Sequence, residues 1–204
     1  MNLERSLWHP VALGHVVGSQ PRAVTLLGED LVLWRDGNGH AHAWMDQCPH
    51  RGARLSLGRV HGGQLECPYH GWRFDGGGRC THVPSVPDFQ PGPRHGARTF
   101  DTREAYGMLW VRLAAPEGEP QPIHQLPVFA AEAEPRLRKT TSGPYLVAAS
   151  APRIIENFLD MAHFGYVHEG WLGSRERPEI PPYEVQATPH GVRATGCLAW
   201  QPRS

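Results

Sequence analysis

Lysine is almost missing from this chain. Of 20 basic residues in 204, Lys139 is the one lysine and the rest are arginine. Alanine, glycine and proline are also plentiful, so a compositional bias explains the arginine better than any arginine-specific chemistry does. An excess of either charge is absent too, since 20 Lys and Arg balance 20 Asp and Glu. That balance leaves no electrostatic footprint for nucleic acid or an anionic membrane surface. No apolar run reaches the ~18 residues of a membrane span. The opening Met1-Asn2-Leu3-Glu4-Arg5 has neither the basic start nor the apolar stretch of a secretory leader. A cytoplasmic location is the default expectation. Cysteines are few, only four, and could be two disulfides, metal ligands or free thiols.

Turn-forming residues and histidine, by contrast, are abundant: 23 Gly, 20 Pro and 13 His, with 40 % hydrophobic residues. This is enough apolar material for a core in one large domain or two small ones. Residues 22–113 read as a β-meander. Val24–Leu27 and Leu31–Trp34 flank a turn at Gly28-Glu29-Asp30, Asp36–Gly39 is a second turn, and an alternating strand follows at 41–45. Gly62-Gly63 and Asp75–Gly78 mark two more hairpins, and 98–103 with 108–113 form a closing pair. Strands this short and regular predict an all-β sandwich or barrel. From 114 to 144 six prolines interrupt any pattern, as in a connection between domains. Residues 152–164 then repeat with helical period, Ile154, Ile155, Phe158, Leu159 and Ala162 making an apolar stripe and Asn157, Asp160 and His163 an adjoining polar edge. Two strands, 183–188 and 191–200, flank a Pro189-His190 turn.

The sharpest signal is Cys48-Pro49-His50-Arg51-Gly52 followed, after sixteen residues between His50 and Cys67, by Cys67-Pro68-Tyr69-His70-Gly71-Trp72. Each half offers one thiolate and one imidazole, at the tip of a hairpin. Zinc fingers group their Cys pair and their His pair separately. Here Cys and His alternate, which suits two irons, one held by two thiolates and the other by two imidazoles. That is Rieske ligation, in which neutral His ligands raise the reduction potential to roughly −150 to +300 mV. Pro49 and Pro68 stiffen the two loops, Gly52 and Gly71 let backbone amides approach sulfur, and Trp72 screens the centre from water. Cys80, Cys197 and the nine histidines other than His50, His70, His163 and His168 fall in no ligand pattern.

Asn157, Asp160, His163 and His168 make a second pattern, N-x-x-D-x-x-H-x-x-x-x-H. Its plainer interpretation is an amphipathic helix with a polar edge followed by a loop histidine. His163 and His168 are five apart and do not share a helical face at ~3.6 residues per turn. One metal takes both only if the helix ends or bends between them, and Gly165 is the expected break.

The first segment closely resembles the Rieske iron–sulfur domain of the oxygenase type, over about residues 7–113. Respiratory-chain Rieske proteins carry two further Cys in a disulfide between the loops; Ala53 and Tyr69 stand at those positions, in keeping with a reducing compartment. Behind such a domain, the second pattern resembles the mononuclear-iron motif of Rieske non-haem iron oxygenases. The wider match is to the demethylase-like branch, such as vanillate O-demethylase oxygenase components. The resemblance implies a 2Fe–2S cluster on Cys48, His50, Cys67 and His70, and mononuclear Fe(II) on His163 and His168. It makes Asp160 a bridging carboxylate between His163 and the cluster ligand His70 of a neighbouring subunit, and puts Asn157 near the iron. It implies electrons from an NAD(P)H-dependent reductase or ferredoxin, O2 and a small aromatic substrate that is hydroxylated or demethylated, and a homotrimer.

The expected architecture is an all-β Rieske domain (1–115), a linker (116–144), and the start of an α+β helix-grip, START-like catalytic domain (145–204) that is incomplete. The family's third iron ligand, a carboxylate, lies far downstream, whereas 36 residues follow His168. Glu169, Glu176, Glu179 and Glu184 are not where that ligand falls, so a C-terminally truncated oxygenase is expected. The alternatives are an electron-transfer Rieske protein with a vestigial catalytic stub, or an inactive fragment.

Overall fold

The computed structural model describes residues 3–143, 145–188 and 191–202. The chain divides into two compact units, Met1–Leu137 and Arg138–Ser204.

Unit one is built from ten short strands: β1 (His9–Leu13), β2 (Arg22–Leu26), β3 (Glu29–Arg35), β4 (Ala41–Met45), β5 (Arg59–His61), β6 (Gln64–Glu66), β7 (Arg73–Phe74), β8 (Cys80–His82), β9 (Thr99–Ala105) and β10 (Met108–Arg112). They form a six-stranded sheet in the order β1-β10-β9-β4-β3-β2 and a four-stranded sheet β5-β6-β7-β8. Every pairing is antiparallel. Glycine pairs place the β5–β6 turn at 62–63 and the β7–β8 turn at 75–78, as the sequence predicts.

Strand β3 departs from the one-sided pattern of a surface meander. Leu31, Val32, Leu33 and Trp34 are all buried, because the sheet is covered on both faces and a strand so placed reads as a continuous apolar run. Period-two alternation then sorts its side chains into two cores. Leu31 and Leu33 join Ala41, Ala43, Leu109, Val111, Leu113 and Val17. Val32 and Trp34 join Trp44, Leu55, Leu65, Phe74 and three cysteines, Cys48, Cys67 and Cys80.

The β2–β3 turn is one residue tighter than the sequence suggests. Leu27 and Gly28 form it with φ +49° and +80°, and Glu29 and Asp30 already belong to β3. Two left-handed residues match the twist of a two-residue hairpin, which leaves Leu27 in a conformation disfavoured by its Cβ. The β9–β10 turn repeats this at Tyr106 (φ +56°) and Gly107 (φ +72°).

Arg35, at the end of β3, fastens the six-stranded sheet internally. Its guanidinium donates to both oxygens of Glu104 on β9 and to the carbonyls of Gly14, Val17 and Gly39. Glu104 holds the Arg35 pKa above its ordinary value, and Arg35 in turn holds Glu104 below the usual carboxylate range.

Unit two holds α1 (Ala151–Leu159), α2 (Phe164–Val167) and the hairpin β11 (Glu184–Thr188) and β12 (Gly191–Thr195). The expected helix over 152–164 therefore ends five residues early. Asp160 caps α1 and turns its carboxylate onto the Ala162 amide at 2.7 Å, drawing the backbone out of helical geometry. Asp160 and His163 thus do not share a polar edge with Asn157. The second strand ends at Thr195 rather than at 200, and the predicted turn residues Pro189 and His190 lie outside the described residues. The apolar stripe of α1 is exposed at Ile155, Phe158 and Leu159. Among the described residues no helix is long and apolar enough to cross a membrane.

A pH prediction follows from Asp36, in the β3–β4 turn. Its carboxylate accepts from His42 Nε2 at 3.0 Å and from the amides of Asn38 and His40 at 2.9 Å each. Burial pushes its pKa up, but the His42 hydrogen bond, the two amides and the His42 charge outweigh it and hold the pKa down to about 2. A carboxylate with a depressed folded-state pKa stabilises the fold above its unfolded value of about 3.9 and loses that contribution as pH falls toward the folded value. Urea unfolding of the metal-free chain is expected to lose about 1–2 kcal/mol from this group between pH 4 and pH 2. Asp36→Asn is expected to flatten that part of the profile; an unchanged slope contradicts the assignment.

Candidate metal centre

The two cysteine loops lie at the open end of the β5–β6 hairpin, not at its tip. Cys48 is in the loop between β4 and β5, and Cys67 directly follows β6. The loops have the same backbone pattern nineteen residues apart. The Cys48 carbonyl accepts from Gly52 N–H at 2.9 Å and its amide donates to Ala53 O at 2.8 Å. The Cys67 carbonyl accepts from Gly71 N–H at 3.1 Å and its amide donates to Trp72 O at 2.8 Å. Each turn closes through a left-handed glycine, Gly52 at φ +72° and Gly71 at φ +69°, a conformation that a side chain disfavours.

Within each turn the sulfur accepts backbone amides, from His50 and Arg51 at Cys48 and from Tyr69 and His70 at Cys67. Both thiols are buried, and they hydrogen-bond each other. This sharing pushes Cys48 up and holds Cys67 down to about 6, the Cys48 hydrogen bond being the main cause and the Tyr69 and His70 amides adding to it. Two buried sulfurs ringed by N–H donors are a cradle for anionic sulfur.

The imidazoles lie on the outer side. The rings of His50 and His70 are 4.6 Å apart between centroids. His50 is half-buried and His70 exposed. Trp72 stacks on His50 at 4.5 Å with the ring planes 4° apart, and Tyr69 lies 3.8 Å from the His70 ring. Burial, then the charges of His70 and Arg51, push the His50 pKa down, which favours the neutral imidazole, the form that binds metal. Its Nδ1 is buried without a hydrogen-bond partner. An orphaned imidazole nitrogen beside paired thiols is what a metal cluster would satisfy, and the donors divide naturally into two sulfurs and two nitrogens. The residues fit a 2Fe–2S group. No group of three such donors converges on one point among the described residues.

Sequence reading missed what anchors these loops. Glu66, one residue before Cys67, is buried and accepts from Arg59 Nε and Arg73 Nε at 2.8 Å each. Burial pushes its carboxyl up, but Arg73 and Arg59 hold it below the usual range. Asp46, two residues before Cys48, is buried against Ser56. Cys80 packs in the same core, and Cys197 is exposed; no disulfide joins any of the four cysteines.

In unit two, His163 and His168 stand at the two ends of α2, His163 as its N-cap and His168 as its C-cap. Their rings are 5.2 Å apart. The helix between them ends at Val167, with His168 leaving helical geometry, and not at Gly165. Gly165 is buried inside α2, and a Cβ there would meet Ser174 O at 2.9 Å, so it permits close packing rather than a bend. Asp160 Oδ2 lies 3.0 Å from His163 Nδ1, and the Ala162 amide with His163 holds its carboxyl below the usual range. Asn157 is exposed on α1, and no hydrogen bond joins it to either histidine. Glu169 pairs with Arg175 at 2.7 Å. Two imidazoles fit part of a mononuclear-metal donor set; no third donor joins them among the described residues.

Comparison with known proteins agrees with both patterns. Residues 8–100 match the Rieske [2Fe-2S] domain, the class that the doubled Cys–His loops define. Residues 147–201 match the vanillate O-demethylase oxygenase C-terminal domain. The chain thus carries a Rieske domain followed by a segment like the C-terminal domain of a Rieske-type demethylase. It is 39 % identical over 183 residues to methylxanthine N1-demethylase NdmA of Pseudomonas putida, covering 87 % of this chain and 51 % of that protein. It is 34 % identical to the oxygenase component of dicamba O-demethylase of Stenotrophomonas maltophilia, covering 82 % and 48 %. Among solved structures, NdmA with caffeine superposes with a TM-score of 0.78 at 36 % identity, over 89 % of this chain and 53 % of that one. Dicamba monooxygenase bound to dicamba gives 0.78 at 30 % identity, over 93 % and 55 %. The chain spans about half the length of the curated relatives it matches.

Gly71 offers a direct check on the loop geometry. Besides its left-handed backbone, a Cβ there would meet Pro84 Cγ at 3.0 Å. Gly71→Ala is expected to lower the stability of the metal-free chain by about 1–2 kcal/mol, read by urea unfolding. Wild-type stability in that variant contradicts the turn.

Proposed function

We propose that the chain is an oxygenase component that takes electrons from a separate NAD(P)H-dependent reductase or ferredoxin and oxidises a small aromatic substrate with O2, by hydroxylation or demethylation. Support comes from the order of the two matched domains and from relatives named as N- and O-demethylases. When bound, a Rieske cluster supplies one-electron transfer and a mononuclear iron supplies O2 activation. In this assignment residues 1–115 are the Rieske domain, 116–144 a linker and 145–204 part of the catalytic domain. Homotrimeric assembly and a cytoplasmic location belong to the same proposal.

Cys48 and Cys67 would hold one iron and His50 and His70 the other. The observation that carries this is the meeting of two buried, amide-ringed thiols with two imidazoles, one with an unpartnered buried Nδ1. Trp72 covers one face of His50 and keeps water from it. His70 is exposed and would be the edge of the bound cluster open to an electron donor or acceptor. His163 and His168 would hold the mononuclear iron. Asp160 accepts the Nδ1 proton of His163, which fixes the tautomer that leaves Nε2 free for metal. Asn157 is assigned to the surroundings of that iron.

A second reading, an electron-transfer protein, is favoured by the pair of histidines having no third donor among the described residues. Iron and sulfide analysis after reconstitution separates the two. Three irons and two sulfides per chain, with reductase-dependent substrate oxidation, are expected for the oxygenase. Two irons with a Rieske EPR signal and no turnover identify the electron carrier, and no cluster overturns both. His70→Cys is expected to keep a cluster but lower its potential, because a charged ligand replaces a neutral one; an unchanged potential removes His70 from the ligand set.

A further inference from the structure

Three polar side chains are buried among the described residues: Ser6, Asp46 and Glu66. Two of them stand at the bases of the two cysteine loops, and the fold treats them differently. Glu66 is shared between Arg59 and Arg73. Asp46 meets no cation among the described residues. Both its oxygens are taken by one residue: Oδ1 accepts the Ser56 amide at 2.7 Å and Oδ2 accepts the Ser56 hydroxyl at 2.6 Å. The Asp46 amide donates to Asp30 O at 2.9 Å, which ties it to β3. Ser56 follows Leu55, which is fully buried in the same core as Cys48 and Cys67. The pair therefore closes a ring of backbone from 46 to 56 that contains Cys48, His50 and the Gly52 turn.

A buried carboxylate without a cation costs the fold stability unless its hydrogen bonds are complete. Asp46 satisfies that condition through a clasp no neutral residue would reproduce in full, because both oxygens accept. We propose that Asp46 is a positioning residue for the metal centre: with Ser56 it clasps the first cysteine loop and sets a fixed negative charge close to the iron pair that the loops would hold. The inference rests on the cluster assignment above. Both Ser56 donors spread the Asp46 charge, so the clasp sets how strongly that charge opposes reduction of the cluster.

Two substitutions then act in opposite directions. Asp46→Asn removes the charge and keeps a shape able to bond Ser56, so the midpoint potential rises. Ser56→Ala keeps the charge and removes one of its donors, so the potential falls. A role confined to holding the loop gives another pattern, because a loosened loop admits water to the cluster in both variants and moves both potentials the same way.

The test is protein-film or solution voltammetry of the reconstituted chain and its variants, with EPR to confirm cluster occupancy. We expect Asp46→Asn to shift the one-electron reduction equilibrium upward by about threefold or more and Ser56→Ala to shift it downward. Ser56→Thr, which keeps the hydroxyl, is expected to restore the wild-type value. Shifts of the same sign, no shifts, or a Ser56→Thr value equal to that of Ser56→Ala overturn the proposal. Where Asp46→Asn takes up no cluster, the Ser56→Ala and Ser56→Thr comparison decides alone. Hydrogen exchange at the Ser56 amide of the metal-free chain reads the clasp independently of the cluster. Exchange about tenfold faster in Asp46→Ala than in wild type supports the clasp, and equal rates overturn it even if the cluster assignment stands. Failure of wild type to take up a cluster would remove the cluster assignment, and the exchange result would still decide the clasp.

Discussion

The packing of two cysteine loops onto the aromatic face of β3 and β4 is the constraint on which unit one depends. Trp34 and Trp44 meet edge to face at 4.9 Å, and Trp44 meets Phe74 at 6.3 Å. Cys48, Cys67 and Trp72 complete that same cluster of buried side chains. The thiols are held by a hydrophobic core, which excludes water, and their loops turn back so that amides meet the sulfurs. Burial raises a thiol pKa and amide donors lower it; here the Cys67 hydrogen bond and burial push Cys48 up, while the Cys48 hydrogen bond and two amides hold Cys67 down. Two faces of one strand serve two purposes. Leu31 and Leu33 close the six-stranded sheet, and Val32 and Trp34 support the metal loops.

Electrostatics refine what packing sets. The buried carboxylates of unit one lie where the loops leave the strands, and each holds backbone on both sides of a loop: Asp46 through Ser56, Glu66 through Arg59 and Arg73. Farther off, Arg35 with Glu104 and Asp36 with His42 tie turns to strands. In unit two the same device recurs at smaller scale, where Asp160 ends α1, captures the Ala162 amide and orients His163.

Much of this was legible in the sequence, for reasons that differ by element. Metal ligation is coded by residue type and spacing, so the alternating pattern of Cys48, His50, Cys67 and His70 stands out in the sequence as a candidate ligand set. Glycine pairs coded the hairpins, and the strand at 41–45 was found with its bounds. Features set by tertiary contact were not legible. Leu27 enters the left-handed turn because β2 and β3 pair in the Leu26–Glu29 register, which local propensity opposes. The end of α1 is set by a side chain capturing a backbone amide, whereas its apolar period runs on past Leu159. Gly165 reads as a helix breaker, yet it serves close packing against Ser174. Nothing in the sequence marks Asp46 or Glu66 as buried, since composition cannot distinguish a carboxylate in solvent from one clasped at the base of a loop.

The central claim is that one iron of a 2Fe–2S group would be held by Cys48 and Cys67 and the other by His50 and His70. Its most direct test is ENDOR spectroscopy of the reduced, reconstituted chain labelled with 15N-histidine. Strong hyperfine coupling to two histidine nitrogens, falling to one in His50→Cys, is the predicted result. A reduced cluster that couples to no histidine nitrogen would contradict the account.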